Sequence, residues 1–295
     1  MTLTPKSEAH SALEPPVDRL ELGSKAPRLY HYTSLSGLLG ILSSKVLWAT
    51  DIGFLNDREE FKHAIKLVIG LLEQRLTNAT DIDREPLEAL RATLYEEMVF
   101  PGYIISFTEN GDLLSQWRGY SPEGGASIGF NVAALREAAA LSGFRLLKCI
   151  YDGETKTAIA NEVLDTYLAE HRSFKDTDQR EHFEARWFRF KFFQLAACFK
   201  DDAFSEENEW RLISEIGVSQ DDNVQFRATS RLLVPYRELP LAVAGTQHPS
   251  LCVDRIVLAP GSQHELISTA LSRLFTDKKL LTVSFAPSNA PYRSL

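Results

Sequence analysis

Little in this sequence offers a ready covalent or metal scaffold. Cysteine occurs three times, at Cys149, Cys198 and Cys252, and never in C-x-x-C spacing. An odd, scattered set of this kind suggests neither a disulfide framework nor a cysteine zinc site, and the apolar flanks predict reduced core thiols. The seven histidines never stand four residues apart, so the helical zinc-ligand pattern is missing as well. There is no phosphate-cradling glycine loop, no dinucleotide glycine fingerprint and no nucleophile elbow. No apolar run reaches membrane-spanning length. Positive charge is in deficit: 32 Lys and Arg stand against 40 Asp and Glu, a net charge of -8. That balance argues against nonspecific nucleic-acid binding and leaves room only for a local basic groove. The first residues lack the apolar centre of a signal peptide, so a cytoplasmic location with no membrane partner is expected.

What is present is an ordinary globular composition, 44% hydrophobic and 24% charged. Residues 1–26 read as a flexible N-terminal arm and 27–295 as a single α+β domain. Strands are expected at Arg28–Thr33, Val46–Thr50, Tyr103–Thr108, Ala126–Phe130, Phe144–Tyr151, Glu209–Ile216, Val224–Pro235, Val253–Leu258 and Leu280–Phe285. Helical spacing after Ser34 puts Leu38 and Leu42 toward a core, together with Trp48 of the next strand. Further helices are expected at Glu59–Thr77, Arg84–Met98, Val132–Leu141, Thr155–His171, Asp178–Phe199 and His264–Phe275. These elements do not alternate strictly, so a mixed or antiparallel sheet with flanking helices is favoured over a repeating parallel fold. The run Arg186 to Phe193 interleaves basic and aromatic residues as single-strand binders do. Its Trp187 and Phe190 nevertheless share a helical face with Phe183, which reads as a buried face.

Three clusters carry candidate chemistry. In Tyr30-His31-Tyr32-Thr33, His31 and Thr33 share one strand face and the two tyrosines the other. The plainer reading is an aromatic strand with a satisfied histidine. Ser106-Phe107-Thr108-Glu109 leads into an aromatic loop with Asp112, Trp117, Arg118 and Tyr120. Such a loop suits a ligand rim or an aromatic plug. In Glu206-Glu207-Asn208-Glu209-Trp210-Arg211, Glu207 and Glu209 are two apart at a strand start and can project to one side. Two such carboxylates repel, which raises one pKa toward acid–base work. The plainer reading is an exposed acidic turn in which Arg211 pairs one carboxylate.

Taken together, YHYTS, FLNDREEF, ISFTE, QWRGYSPEGGASIGF, EENEWRLI, VPYREL and RIVLAPG resemble a bacterial domain-of-unknown-function family, the one numbered 2971. A weaker resemblance links the chain to the ADP-ribosyltransferase superfamily. There a first strand carries His or Arg, a middle strand supplies Ser, Thr or Tyr, and a later strand opens with Glu or Glu-x-Glu. Tyr30 to Ser34 matches the first of these and Glu207-Asn208-Glu209 the third. Ser106 to Thr108 and Tyr120 compete for the middle place. Tyr32 stands where glycine is usual after the histidine.

This resemblance implies an ADP-ribosyltransferase-like split sheet and a transferase or glycohydrolase that consumes NAD as substrate, without a metal. Glu209, Glu207 and His31 would be the catalytic residues. His31, Tyr32, Thr33, Ser106, Thr108, Trp117, Arg118 and Tyr120 would hold the dinucleotide, and the acceptor would be a protein or nucleic acid. Glu209→Gln should then fold normally and lose activity. The competing readings are a non-catalytic nucleotide- or protein-binding sensor module and a metal-dependent nuclease using Asp57, Glu59, Glu109 and Glu207.

Overall fold

A computed structural model describes residues 20, 26–55, 58–96, 102–173, 192–214, 224–241, 251–261, 263–280 and 282–291. Most of the expected N-terminal arm, Asp57, Trp187 and Phe190 lie outside the described residues, as does most of the expected Asp178–Phe199 helix.

The chain folds as α+β: a mixed, mostly antiparallel sheet flanked by helices. The strands are β1 (Arg28–Ser34), β2 (Val46–Asp51), β3 (Tyr103–Thr108), β4 (Gly125–Asn131) and β5 (Phe144–Lys148). They continue with β6 (Glu209–Ser214), β7 (Val224–Ala228), β8 (Leu233–Pro240), β9 (Val253–Leu258) and β10 (Ser284–Pro287). The helices are α1 (Leu35–Ser44), α2 (Arg58–Thr77), α3 (Asp81–Glu96), α4 (Leu114–Tyr120), α5 (Val132–Leu141), α6 (Gly153–Ser173), the single turn α7 (Phe193–Ala196), and α8 (His264–Lys278). Among these strands only β9 and β10 pair in parallel.

The first unit forms for local reasons. Ser34 ends β1 and caps α1, its hydroxyl accepting from the Gly37 amide at 3.1 Å. Lys45 closes the helix in the left-handed region, at φ 57°, with its amide on the Ile41 carbonyl. Leu38 and Leu42 are buried as their spacing requires. Trp48 is not: it is 46% exposed, tilted against Tyr236 at 4.5 Å with the Arg227 guanidinium over its ring. Its neighbours Leu47 and Ala49 take the buried places.

Strand alternation divides the core into two layers. Ile104, Leu147 and Ile213 face the side covered by α2, α3 and α6. Ile105, Phe107, Leu146, Trp210 and Leu212 face the side covered by α1, α5 and α8. Several elements differ from expectation: β5 stops at Lys148 and Leu114–Tyr120 is a helix. The Val224–Pro235 segment turns at 229–232 and becomes the hairpin β7–β8, because Thr229 bonds back to Leu232. The last strand begins only at Ser284, since α8 runs on to Lys278 and Leu280 closes its end on Phe275.

The strand contacts of β3 decide where a cleft can exist. On one edge β3 pairs with β6 from Ile104 to Thr108. The other edge is shared: β1 meets it only at Thr108, through Tyr30, and β2 only at Tyr103 and Ile104. Between those points residues 105–107 have no strand partner on that edge, and β1 leaves β3 just after Tyr30 to pair in full with β4.

Leu42→Ala should cost about 2–5 kcal/mol of stability, the range for a buried leucine. Trp48→Ala, removing a half-exposed ring, should cost clearly less. Denaturant unfolding of both variants checks the order; a larger loss at Trp48 would oppose this packing.

Candidate functional site

The gap between β1 and β3 opens into a small pocket of about 50 Å³. Tyr30, His31 and Tyr32 line it from β1, and Ser106, Phe107 and Thr108 from β3. Gln116 and Tyr120 come from α4, and Glu207 and Glu209 from the start of β6. Residues far apart in sequence, His31, Ser106, Thr108, Tyr120, Glu207 and Glu209, are thus brought to one place.

His31 fills the unpaired edge. Its Nδ1–H donates to the Ser106 carbonyl at 2.9 Å, where a neighbouring strand would otherwise supply an amide. Burial of the ring disfavours its charged form and lowers its pKa below the ordinary value of 6.5, against the opposing pull of that bond. A neutral ring with Nδ1 donating has Nε2 as an acceptor, and Nε2 has no partner among the described residues. Tyr32 is built in differently. Its hydroxyl donates to the Asn110 carbonyl at 2.9 Å and accepts from the Leu113 amide at 2.8 Å, pinning the loop before α4. Burial pushes its pKa up to about 12.

Trp117 packs edge-on against Tyr32 at 4.6 Å, and its indole nitrogen donates to Asp112 at 2.8 Å. It is 2% exposed and stands behind the pocket rather than in its lining. Arg118 and Thr33 also stand outside the lining, Arg118 exposed and Thr33 offering its carbonyl to Ser121. Thr108 lines the pocket, but its hydroxyl is engaged with the Glu207 carbonyl at 2.6 Å.

The two glutamates converge by a route other than the expected extended chain. Glu207 ends a 3-10 helix, Asp202–Glu207, and Asn208 turns the chain at φ 40°, a conformation that asparagine tolerates. Both carboxylates then meet Lys200 Nζ, Glu207 through Oε2 at 2.5 Å and Glu209 through Oε2 at 2.5 Å. Glu209 also accepts from Arg211, Nε at 2.7 Å and Nη2 at 3.2 Å, while Arg211 Nη1 holds the Ala197 carbonyl at 2.7 Å.

The expected repulsion between the carboxylates is therefore absent: a cation sits between them. Burial works to raise the Glu209 pKa, but Arg211 and Lys200 overturn it and hold it at about 2. Burial likewise works to lower Lys200, and Glu209 with Glu207 lifts it above the ordinary lysine range. Held there, Glu209 is an anion at neutral pH. The turn is also not an exposed one at this residue, which is 4% accessible, although Arg211 does pair it. Glu207 keeps its Oε1 without a partner among the described residues.

Two residues of this arrangement escaped sequence reasoning. Lys200 ends an apolar run and stands beside Asp201 and Asp202, so sequence proximity points to those carboxylates and not to Glu207 and Glu209, which it binds. Gln116 was hidden because its segment reads as a loop; it is the helix α4, and Gln116 and Tyr120 stand four apart on it. For the nuclease set, Glu109 is engaged by Lys148 and Trp210, and the Asp57 and Glu59 side chains lie outside the described residues. No three His, Cys, Asp or Glu side chains converge as metal ligands among the described residues. No described helix is long and apolar enough to cross a membrane.

Fold and pocket thus define an α+β protein with a polar cleft where β1 departs from β3. Residues 116–212, about a third of the chain, match the model of a family described as "Protein of unknown function (DUF2971)". The match opens at Gln116 and takes in Lys200, both glutamates and Arg211. No curated protein and no solved structure matches the chain.

Glu209→Gln cannot be expected to fold as the parent protein does. It leaves Lys200 and Arg211 buried with one charge partner fewer, which should cost about 3–5 kcal/mol. The pH dependence has a definite sign. The Glu209 pKa is depressed on folding, from 4.5 to about 2, so its contribution is present above pH 4.5 and is lost as pH falls toward 2. Denaturant unfolding from pH 7 to pH 3 should show a fall below pH 4.5 that is smaller in Glu209→Gln. Identical profiles would remove Glu209 from the acid response.

Proposed function

We propose that the protein cleaves NAD at the nicotinamide–ribose bond, as an ADP-ribosyltransferase or NAD glycohydrolase. The observation that carries this reading is the meeting of His31, Tyr120, Glu207 and Glu209 at one pocket. Two further features support it. The edge of β3 is met by β1 at one end and by β2 at the other within one connected sheet, and this local gap is what supports a split-sheet reading. A neutral His31 with an accepting Nε2 suits a ribose hydroxyl rather than a phosphate.

In this reading the C1′–N bond breaks and its electron pair passes to the pyridinium nitrogen, releasing neutral nicotinamide. Positive charge grows on the ribose carbon, as in glycoside cleavage. A carboxylate ionised at every working pH is suited to that charge, and Glu209 is one. Glu207 Oε1 accepts the proton of the water or acceptor that adds to C1′. The half-exposed Tyr120 offers a ring face to the cationic pyridinium. A volume of about 50 Å³ admits only an end-group, so the rest of the dinucleotide lies along the mouth.

A non-catalytic nucleotide-binding module is the second reading. It is favoured by the full engagement of both Glu209 oxygens with Lys200 and Arg211.

Nicotinamide release from NAD decides between them. The intact protein should release it, and Glu207→Gln, which leaves Glu209 on Lys200, should slow release by at least about a hundredfold. Binding of NAD without release would favour the module. Release at an unchanged rate in Glu207→Gln would remove that residue from the chemistry.

A further inference from the structure

Gln116 lines the pocket with a side-chain amide that no described residue engages. The residue is 7% exposed. Its polar atoms are not among the fully enclosed ones without a partner, so they face the cavity, where water or a ligand completes them. An amide that no protein group engages, on a side chain so nearly buried and open to the cavity, is placed to pair with a ligand there.

The chemistry of the amide narrows the ligand. Gln116 presents an N–H donor and a carbonyl acceptor side by side in one plane. Both are satisfied together by a planar group carrying an adjacent acceptor and donor, which describes a primary carboxamide. A hydroxyl pairs with only one of the two. A carboxylate presents two acceptors, so it opposes the Gln116 oxygen and meets the negative Glu207 and Glu209 across the pocket. The cavity, about 50 Å³, has the size of such an end-group and not of a ring system with its sugar. Tyr120 follows Gln116 by four residues on α4, so one helix offers an edge for the carboxamide and a ring face beside it.

We propose that Gln116 is the specificity-determining residue of the pocket, pairing through two hydrogen bonds with the carboxamide of the nicotinamide ring. This rests on the reading that the pocket takes the nicotinamide end of NAD. It goes further in naming the group recognised and in predicting that the carboxylate analogue is rejected.

The test is calorimetric titration of the full chain with three probes. The first is a NAD analogue with a carbocyclic ribose, which cannot form the oxocarbenium. The second is ADP-ribose, which lacks the nicotinamide. The third is the nicotinic acid dinucleotide, which carries a carboxylate instead of the carboxamide. The parent protein should bind the carbocyclic analogue at least about tenfold more tightly than the other two. Gln116→Met keeps length and removes both polar atoms. It should weaken the analogue about ten- to a hundredfold and leave ADP-ribose unchanged. Gln116→Leu serves as the second variant should the first fail to fold. Unchanged affinity for the analogue in either folded variant, or equal binding of carboxamide and carboxylate by the parent protein, would overturn the role of Gln116 and leave the NAD reading standing. Binding of none of the probes to the parent protein would overturn both.

Discussion

The buried contact between Lys200 and the carboxylates of Glu207 and Glu209 is the constraint on which the site depends. A single ammonium holds together two segments that differ in backbone: the end of a 3-10 helix and the start of β6. Arg211 adds a second cation from the same face of β6 and anchors it to the Ala197 carbonyl. Glu207 and Glu209 face the two cations there, and Glu60 approaches Arg211 at 3.9 Å as a third carboxylate. Burying such a set is costly unless every member is hydrogen-bonded, and removing one member leaves the others worse off than if none were present. The cluster therefore fixes where the carboxylates can be, and it keeps Glu209 ionised.

The second constraint is the edge of β3. A strand edge left without a neighbour inside a sheet must satisfy its carbonyls in some other way. His31 does so by turning its ring onto Ser106, and this lets β1 leave β3 and open the pocket. The tyrosines on the opposite face keep that opening from collapsing. Tyr32 ties down the loop before α4 with both sides of its hydroxyl. Tyr30 lies against Gly111 and Gly129, where any Cβ would fall within 3.0 Å of its ring. A histidine between two tyrosines is thus one device: the ring on one face props the gap, and the rings on the other hold its far wall.

Local pattern made most elements legible. Ser34 before a helically spaced apolar set gave α1, and Trp210 and Leu212 face the core as their alternation requires. The failures share a cause. Trp48 was assigned to the core by residue type, yet its strand alternates and Leu47 and Ala49 hold the inner places. The segment from Leu114 to Tyr120 has no capping side chain and adjoins glycines, so its helix carries no start signal. Gln116 went unseen with it. The two glutamates were paired by strand periodicity, whereas a left-handed Asn208 brings them together.

By itself the sequence determined most of the strand and helix order, the capped β1–α1–β2 unit and the residue types available for chemistry, because these follow from near-neighbour periodicity and capping. It also determined that His31, Tyr120, Glu207 and Glu209 were worth bringing together. Tertiary structure alone decided that they do meet, that Lys200 neutralises what looked like a repelling pair, and that Trp117 lies behind the pocket rather than in it. It alone exposed Gln116. The physical reason is that charge state and accessibility depend on which groups the fold brings into contact. Lys200 stands seven and nine residues before the glutamates, outside strand or helix periodicity, and His31 reaches the pocket from the other end of the chain, so no local pattern encodes which cation will reach a carboxylate or which amide will be left without a partner.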